Sequence, residues 1–552
     1  MIVYSKEGLI KGKTIMTNKF FHITSKKFIL ILSLYFSFIL NITLWRYLYK
    51  EMDFSESSII IAAAILPLIV FTPLFLLFNI ITIPYIGKIL IVILLLASAS
   101  ADYAMSNLGI VINSDMMRNF VETNTREAMD LVTVHAVIYV LILGVLPASG
   151  VILAKIDYQP FGKELKSRVL YCLAVLGLTL ALSPISYKEY VSFGRNHKVV
   201  RNYMNTFNYI SAYIRYAKKQ RATSHEFVIL DSKPFINKKQ DSKPRVLVYL
   251  VGETARENNF SLYGYEKKTN PMLESKDIIV FKNVTSCGTA TTVSLPCMFS
   301  HQTRKDFKLS DAAYTQNVLD IAKLAGYDVY WKDNDDGCKD VCNRVENVDA
   351  KEGNKQPFCF GRYCQDDILL DGLQERLSNI TKDTVIVLHM MGSHGPTYFK
   401  RYPKDFDRFK PSCDSADLKD CTQEQIVNTY NNTILYTDYV VSSVIDMLKE
   451  FPDLASAVLY VSDHGESLGE NNIYLHGLPY AIAPKEQKSI PMLIWLSDEI
   501  KKDLDLNIEK IKENAELKEH SHDNLFHSIL HLLSIETTVA KDERAALDVF
   551  NQ

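Results

Sequence analysis

Five apolar runs in the first 190 residues constrain this chain more than any other feature. A bilayer core of about 30 Å takes roughly 20 helical residues, and the runs at 28–45, 59–83, 89–105, 131–153 and 169–187 are of that order. The third is the weakest, because Asp102 stands near its end. The first follows a lysine-rich segment, as a signal peptide would. No small-residue cleavage site comes after it and four more runs do, so it reads as an anchor. Residues 220–552 alternate as an ordinary soluble domain does, so neither a wholly soluble nor a disordered chain fits. With 552 residues and a net charge of −2, the chain is too long for a lone module and has no basic footprint for nucleic acid.

Charge orients the membrane part. Six lysines precede the first run, and Lys88, Lys155, Lys163, Lys166 and Arg168 fall on the same side. The opposite loops hold only Arg46, Lys50, Arg118 and Arg126. By the positive-inside rule the N-terminus is cytoplasmic, and five crossings place the C-terminal part outside. Cysteine usage points the same way. Cys172 lies in the fifth run, and the other eight fall in close pairs: Cys287 with Cys297, Cys338 with Cys342, Cys359 with Cys364, and Cys413 with Cys421. An even set in an exported domain reads as disulfides, each expected between neighbours. The alternative, a zinc cluster, lacks a repeated C-x2-C.

The expected division is a cytoplasmic segment 1–27, a five-helix transmembrane domain 28–190, a bridging helix and linker 191–243, and a catalytic domain 244–552. In the bridge, Tyr203, Phe207, Ile210 and Ile214 recur at helical steps. That spacing suits an amphipathic helix on the membrane surface or a core helix of the soluble domain.

Within 244–552, strand-length runs at 245–251, 327–331, 384–389, 457–461 and 491–496 alternate with helical patterns at 315–325, 425–450 and 524–533. This predicts an α/β/α sandwich with a largely parallel sheet, whose ligands bind beyond the carboxyl ends of the strands. Loaded segments stand at those ends: Gly252-Glu253-Thr254, the hydroxyl-rich 286–292, Gly392-Ser393-His394 after the strand ending at His389, and Ser462-Asp463-His464 with His476 downstream. One acid at a strand end is unremarkable, but this convergence is not. Carboxylates with a neutral imidazole suit Zn²⁺ or Mn²⁺. A metal-bound hydroxyl is a nucleophile near neutral pH, and a helix N-terminus beside it favours an anionic group.

The runs VGETARENNFSLYGY, TSCGTATTVSLPCMFS, MGSHGPTYFKRYP and YVSDHGESLGENNIYLHGLPYAIAPKEQKSIPM resemble the lipid A phosphoethanolamine transferases, including the mobile colistin-resistance type, within the alkaline phosphatase/sulfatase superfamily. The resemblance covers nearly the whole chain. It implies a multi-pass inner-membrane enzyme with a periplasmic catalytic domain, a phosphatidylethanolamine donor, a lipid A acceptor and a monomeric state. It implies Thr291 as nucleophile and a zinc ion held by Glu253, Thr291, Asp463 and His464. His394 and His476 would bind the phosphoryl group or a second zinc. Asn119, Thr123 and Glu127 match positions that contact the ethanolamine end of the donor, though a solvated helix face would show the same spacing. Arg344 stands where relatives often have lysine near the phosphoryl site, and Arg changes that geometry. His389 takes a supporting role, and Asp523 would cap a helix.

Rival readings are transfer to core sugars instead of lipid A, a phosphoglycerol transferase, and a non-catalytic lipid-binding scaffold. A sulfatase would need a C/S-x-P-x-R segment, which the chain lacks.

Overall fold

The computed structural model describes residues 21–122, 128–129, 131–197, 199–221, 226–239, 242–353, 355–360, 363–539 and 547–550. It divides into two compact units. One comprises the chain up to Asp102 with Tyr139–Thr206, the other Tyr103–Ile138 with the chain from Phe207 onward.

Among the described residues, four helices are long and apolar enough to cross a membrane: Ser57–Ile81, Gly87–Asn107, Val134–Leu153 and Phe161–Val191. The pair Ser25–Ile39 and Ile42–Glu51, bent by 48°, is a fifth when counted as one span. The first apolar run is therefore not one straight helix. Asn41 causes the bend: its Nδ2 donates to the Phe36 carbonyl at 2.8 Å and its Oδ1 accepts the Asn205 N–H at 2.8 Å. A side chain inserted into the helical ladder is a recognised source of kinks. Asp102, which weakened the third run, is buried and accepts hydrogen bonds from Thr43 Oγ1 at 2.9 Å and the Tyr139 hydroxyl at 2.6 Å. A carboxyl so partnered is tolerable in an apolar helix.

The bridging helix is two pieces, Val200–Tyr203 and Phe207–Arg221. Between them Thr206 takes φ 76°, a left-handed conformation unfavourable for a β-branched residue. Asn205 fixes the break by donating to the carbonyls of Leu40 at 2.5 Å and Ser98 at 2.9 Å.

The second unit is built on a seven-stranded sheet. Its strands are β1 (Arg245–Gly252), β2 (Ile278–Phe281), β3 (Asp328–Asp333), β4 (Glu346–Asp349), β5 (Thr384–His389), β6 (Ala455–Ser462) and β7 (Met492–Leu496), in the spatial order β2-β7-β6-β1-β5-β3-β4. The run β6-β1-β5-β3-β4 is parallel, while β7 is antiparallel to both β6 and β2. The helices that matter here are α1 (Ser114–Glu122), α2 (Phe207–Arg221, packed on α1), α3 (Thr291–Met298), α4 (Val318–Ala325), α5 (Gln423–Lys449) and α6 (Leu525–Leu532).

Every residue of β1 is buried, and its side chains alternate between two cores. Leu247, Tyr249 and Val251 pack in one with Ile321 of α4 and Phe526 of α6. Val246, Val248 and Leu250 pack in the other with Tyr430 and Ile434 of α5. Period-two alternation across a strand thus makes three layers from one sheet. Capping boxes set two helix starts, Asn317/Asp320 for α4 and Thr422/Gln425 for α5.

The cysteines pair as neighbours throughout. Cys287 is bonded to Cys297 and Cys338 to Cys342, the latter closing a single turn of chain. Cys359 is bonded to Cys364 across a two-residue antiparallel ribbon, and Cys413 to Cys421 in the loop before α5. Cys172 is free. Strands β2 and β4 are not legible in the sequence. Each has four residues, and β4 is a polar, exposed edge.

Candidate functional site

Register gathers the site. Along β6-β1-β5-β3 the strand ends are level: Ser462 pairs with Gly252, and His389 pairs with both Val251 and Asp333. The residues that follow these ends, Asp463 and His464, Glu253, and Asp335, therefore emerge together, and all are buried.

Glu253 is held by its surroundings. The Thr254 hydroxyl donates to Glu253 Oε1 at 2.5 Å, and Thr254 N–H reaches Asp463 Oδ1 at 3.1 Å. The turn after β5 crosses directly over it, with Ser393 N–H donating to the Glu253 carbonyl at 3.0 Å. Gly392 has φ 50° there, and a Cβ would sit 2.5 Å from that same carbonyl oxygen, so only glycine fits. Asp366 orders this turn, accepting the N–H groups of Met391 at 2.8 Å and Gly392 at 2.9 Å.

Thr291 is the first residue of α3. Its hydroxyl donates to Glu253 Oε2 at 3.0 Å and lies 3.4 Å from His464 Nε2. Ser294, one turn along, accepts the Gly288 N–H at 2.9 Å and donates to the Asp463 carbonyl at 2.6 Å, which pins α3 to the end of β6. His464 Nδ1 donates to the Gly465 carbonyl at 2.9 Å, leaving Nε2 directed at Glu253 Oε1 and Asp463 Oδ2, each 3.4 Å away.

These residues fit a divalent cation. Ligand atoms of Glu253, Asp463 and His464 all lie within 4.8 Å of one another. Asp463 Oδ2 is buried without a hydrogen-bond partner, which a coordinated oxygen would not need. Burial, then Asp463, pushes the Glu253 carboxyl well above the carboxylate range, although His464 opposes this. Burial likewise raises Asp463 to about 6. Two carboxyls so raised ionise fully when a cation compensates them. Two oxygens and an imidazole nitrogen match Zn²⁺ preferences.

His476 Nδ1 lies 2.8 Å from Glu466 Oε2, and Glu466 Oε1 accepts the Tyr398 hydroxyl at 2.5 Å. The His476 ring centroid is 4.4 Å from that of His464 and 5.3 Å from that of His394. Burial holds His394 well below the usual histidine range, helped by His476 and Arg401. Burial and then His464 do the same to His476. Burial lifts Glu466 to about 8. Near neutrality both imidazoles are uncharged, and Glu466 keeps its proton.

Of the positions expected to contact ethanolamine, Asn119 on α1 accepts a hydrogen bond from the hydroxyl of Thr292, next to Thr291. Thr123 and Glu127 lie outside the described residues. Arg344 is not brought to this group. Its guanidinium binds Asp320 at 2.8 and 2.7 Å, in the capping box of α4, and lies over Phe227. Asp523 accepts the Arg304 N–H at 2.7 Å, while Ser521 does the capping.

Several functional neighbours escape the sequence reading. His522 accepts the Cys287 N–H on Nδ1 at 3.0 Å and donates from Nε2 to the Ser462 carbonyl at 2.9 Å, joining the loop before Thr291 to β6. Asp333 accepts His389 Nδ1–H at 2.9 Å and Trp331 Nε1–H at 2.9 Å. Burial disfavours charge on His389, but Asp333, Asp335 and Glu253 outweigh it and raise its pKa to about 9. Asp333, Asp335 and Glu466 stand in view as acids at or just after strand ends. His522 gives no local signal.

Comparison with known proteins places this geometry. A model of the phosphoethanolamine transferases EptA/EptB matches residues 70–221, and a sulfatase model matches 245–535. The phosphoethanolamine transferase EptA of Escherichia coli K12 is 37% identical over 515 residues, 92% of this chain and 94% of its own length. The phosphatidylethanolamine transferase Mcr-1 of Escherichia coli is 35% identical over 474 residues, 84% of this chain and 86% of its own. Among solved structures, the integral membrane lipooligosaccharide phosphoethanolamine transferase A of Neisseria meningitidis superposes with a TM-score of 0.92 at 37% identity, over 96% of this chain and 99% of that one.

Proposed function

Because the chain belongs to the EptA family of phosphoethanolamine transferases, we propose that it carries phosphoethanolamine from phosphatidylethanolamine to a phosphate of lipid A through an adduct on Thr291. It is an integral protein of the inner membrane with a periplasmic catalytic domain. The observation that carries the reading is the Thr291 hydroxyl, set at the N-terminus of α3 between Glu253 at 3.0 Å and His464 at 3.4 Å.

Glu253, Asp463, His464 and Thr291 would hold the zinc ion. When bound there, zinc supplies positive charge that acidifies a coordinated hydroxyl and offsets charge on a phosphoryl group. The Thr291 proton leaves along its bond to Glu253, and Oγ1 attacks the phosphorus of phosphatidylethanolamine. The bond from phosphorus to the glycerol oxygen breaks, and diacylglycerol leaves once that oxygen gains a proton. His476 is built to give it. Glu466 holds a proton against Nδ1, so Nε2 carries the hydrogen presented to the leaving oxygen, and Glu466 replaces it at Nδ1. His394, uncharged and beside His476, offers a second donor to the phosphoryl oxygens. Asn119, through Thr292, orients the donor beside the nucleophile. A phosphate oxygen of lipid A then attacks the adduct, its proton passing to His476 Nε2 while Nδ1 returns one to Glu466, and the bond from phosphorus to Thr291 Oγ1 breaks as that oxygen recovers its proton from Glu253.

The gathering of Thr291, Glu253, Asp463, His464 and His476 in one group supports this reading over a non-catalytic scaffold. Modified lipid A carries less negative charge, so cationic polymyxins should bind it less well. Mass spectrometry of lipid A from a Gram-negative host expressing the chain tests the acceptor. In that host Thr291→Ala should abolish both the modification and the phosphoethanolamine adduct on the enzyme, with zinc content retained. Wild-type modification by the variant would refute the nucleophile.

A further inference from the structure

We propose that the chain holds a second divalent cation, in a site that shares Glu253 with the first and is completed by Asp335 and His389. The inference rests on the proposed function only in taking Glu253, Asp463 and His464 as ligands of the first ion.

Geometry carries it. Ligand atoms of Glu253, Asp335 and His389 all lie within 4.8 Å of one another, and the three residues are 0–4% exposed. His389 Nε2 is buried with no hydrogen-bond partner, and it is directed at Asp335 Oδ2, 3.7 Å away. The opposite ring nitrogen, Nδ1, is held at 2.9 Å by Asp333, which Trp331 Nε1–H fixes in turn at 2.9 Å. A carboxylate gripping one nitrogen while the other faces a cluster of oxygens is the arrangement that orients metal-ligating histidines.

Charge agrees. Four carboxylates, Glu253, Asp333, Asp335 and Asp463, are buried around this point. One divalent ion leaves them two charges short of neutrality, and a second closes the gap with His389 neutral. Lys351 does not close it. Its ammonium reaches the Asp335 backbone carbonyl and pairs with Asp349 at 3.2 Å. The rival occupant of the same space is a proton on His389 Nε2, and the two exclude each other. Two carboxylates and an imidazole suit Mn²⁺ or Zn²⁺. A carboxylate shared between ions about 3.5–4 Å apart is the usual dinuclear arrangement. The second ion would fix the Glu253 carboxylate.

The test uses the full-length chain in detergent, stripped by chelator and reloaded with Mn²⁺ alone. Metal is counted by mass spectrometry and coupling is read by electron paramagnetic resonance. The wild type should bind two Mn²⁺ per chain with a spin-coupled spectrum. His389→Gln and Asp335→Asn should each bind one, with an uncoupled six-line spectrum. Asp333→Asn should weaken the second Mn²⁺ about 10–100-fold. The double variant His394→Asn/His476→Asn should keep both ions and their coupling. A wild-type count of one overturns the proposal, and loss of that ion in Asp463→Asn would show that the first site stands regardless. Two uncoupled ions, or coupling that persists in both His389→Gln and Asp335→Asn, overturn it as well. Each variant is scored on material that retains a cooperative thermal transition.

Discussion

Replacing His522 by glutamine should make the fold less sensitive to acid, by an amount the structure allows to be worked out. His522 is 2% exposed and uses both ring nitrogens, accepting from the Cys287 N–H and donating to the Ser462 carbonyl. A second proton has no place, and burial lowers its pKa from the ordinary 6.5 to about 3, the Ser462 bond opposing only in part. The unfolded chain binds this proton below 6.5 and the folded chain does not. Stability from this group is thus complete above about pH 6.5 and is lost progressively as pH falls toward 3. A tenfold change in protonation is about 1.4 kcal/mol, so at about pH 5, roughly 1.5 below the ordinary value, the loss is roughly 2 kcal/mol. Glutamine keeps a donor and an acceptor but does not titrate. Denaturant unfolding of metal-stripped wild type and His522→Gln at about pH 7.5 and pH 5 isolates this contribution. The wild type should lose roughly 2 kcal/mol more than the variant. Equal losses would show that the His522 tautomer does not hold the loop before Thr291 to β6.

Three further outcomes follow from the site. Glu466→Gln preserves a polar partner for His476 Nδ1 but cannot hand on a proton, so turnover should fall about 100-fold with zinc content unchanged. The wild-type rate should also decline above about pH 8, where Glu466 ionises, and steady-state profiles should lose that limb in the variant. Asn119→Ala removes the acceptor of the Thr292 hydroxyl and should cost about 1 kcal/mol, read as a several-fold rise in KM for phosphatidylethanolamine. The Cys287–Cys297 bridge, spanning 10 residues around the start of α3, should contribute roughly 2–3 kcal/mol, measured as a lower thermal midpoint in the double serine variant.

Much of this was legible in the sequence, because the signals are local. Apolar length marks a span, a short apolar run marks β1, and close cysteines mark bridges. Thr384–His389 came out with its bounds intact, since a short apolar run between turns has few competing readings. What escaped was set at a distance. The bend at Asn41 depends on Asn205, 164 residues away, and the burial of Asp102 depends on Thr43 and Tyr139. Arg344 was misplaced for the same reason. Its charge suited a phosphate, but Asp320, 24 residues earlier, claims it.

The site is distributed in the same way, and that explains its form. Its candidate ligands come from the ends of four different strands, so no short segment contains it. Only the register that levels Gly252, Ser462, His389 and Asp333 brings Glu253, Asp463, His464 and Asp335 within reach of one another. Slipping a strand by one residue would turn its buried side chains to the opposite core. The two hydrophobic cores that fix β1, β5 and β6 therefore also fix the spacing of the carboxylates. Those carboxylates in turn disfavour the sheet unless positive charge sits among them. Packing sets the geometry, and a cation bound there would offset the repulsion that the geometry creates. The residues at strand ends are thus poor contributors to stability by themselves and depend on the core, and the chemistry at Thr291 depends on both.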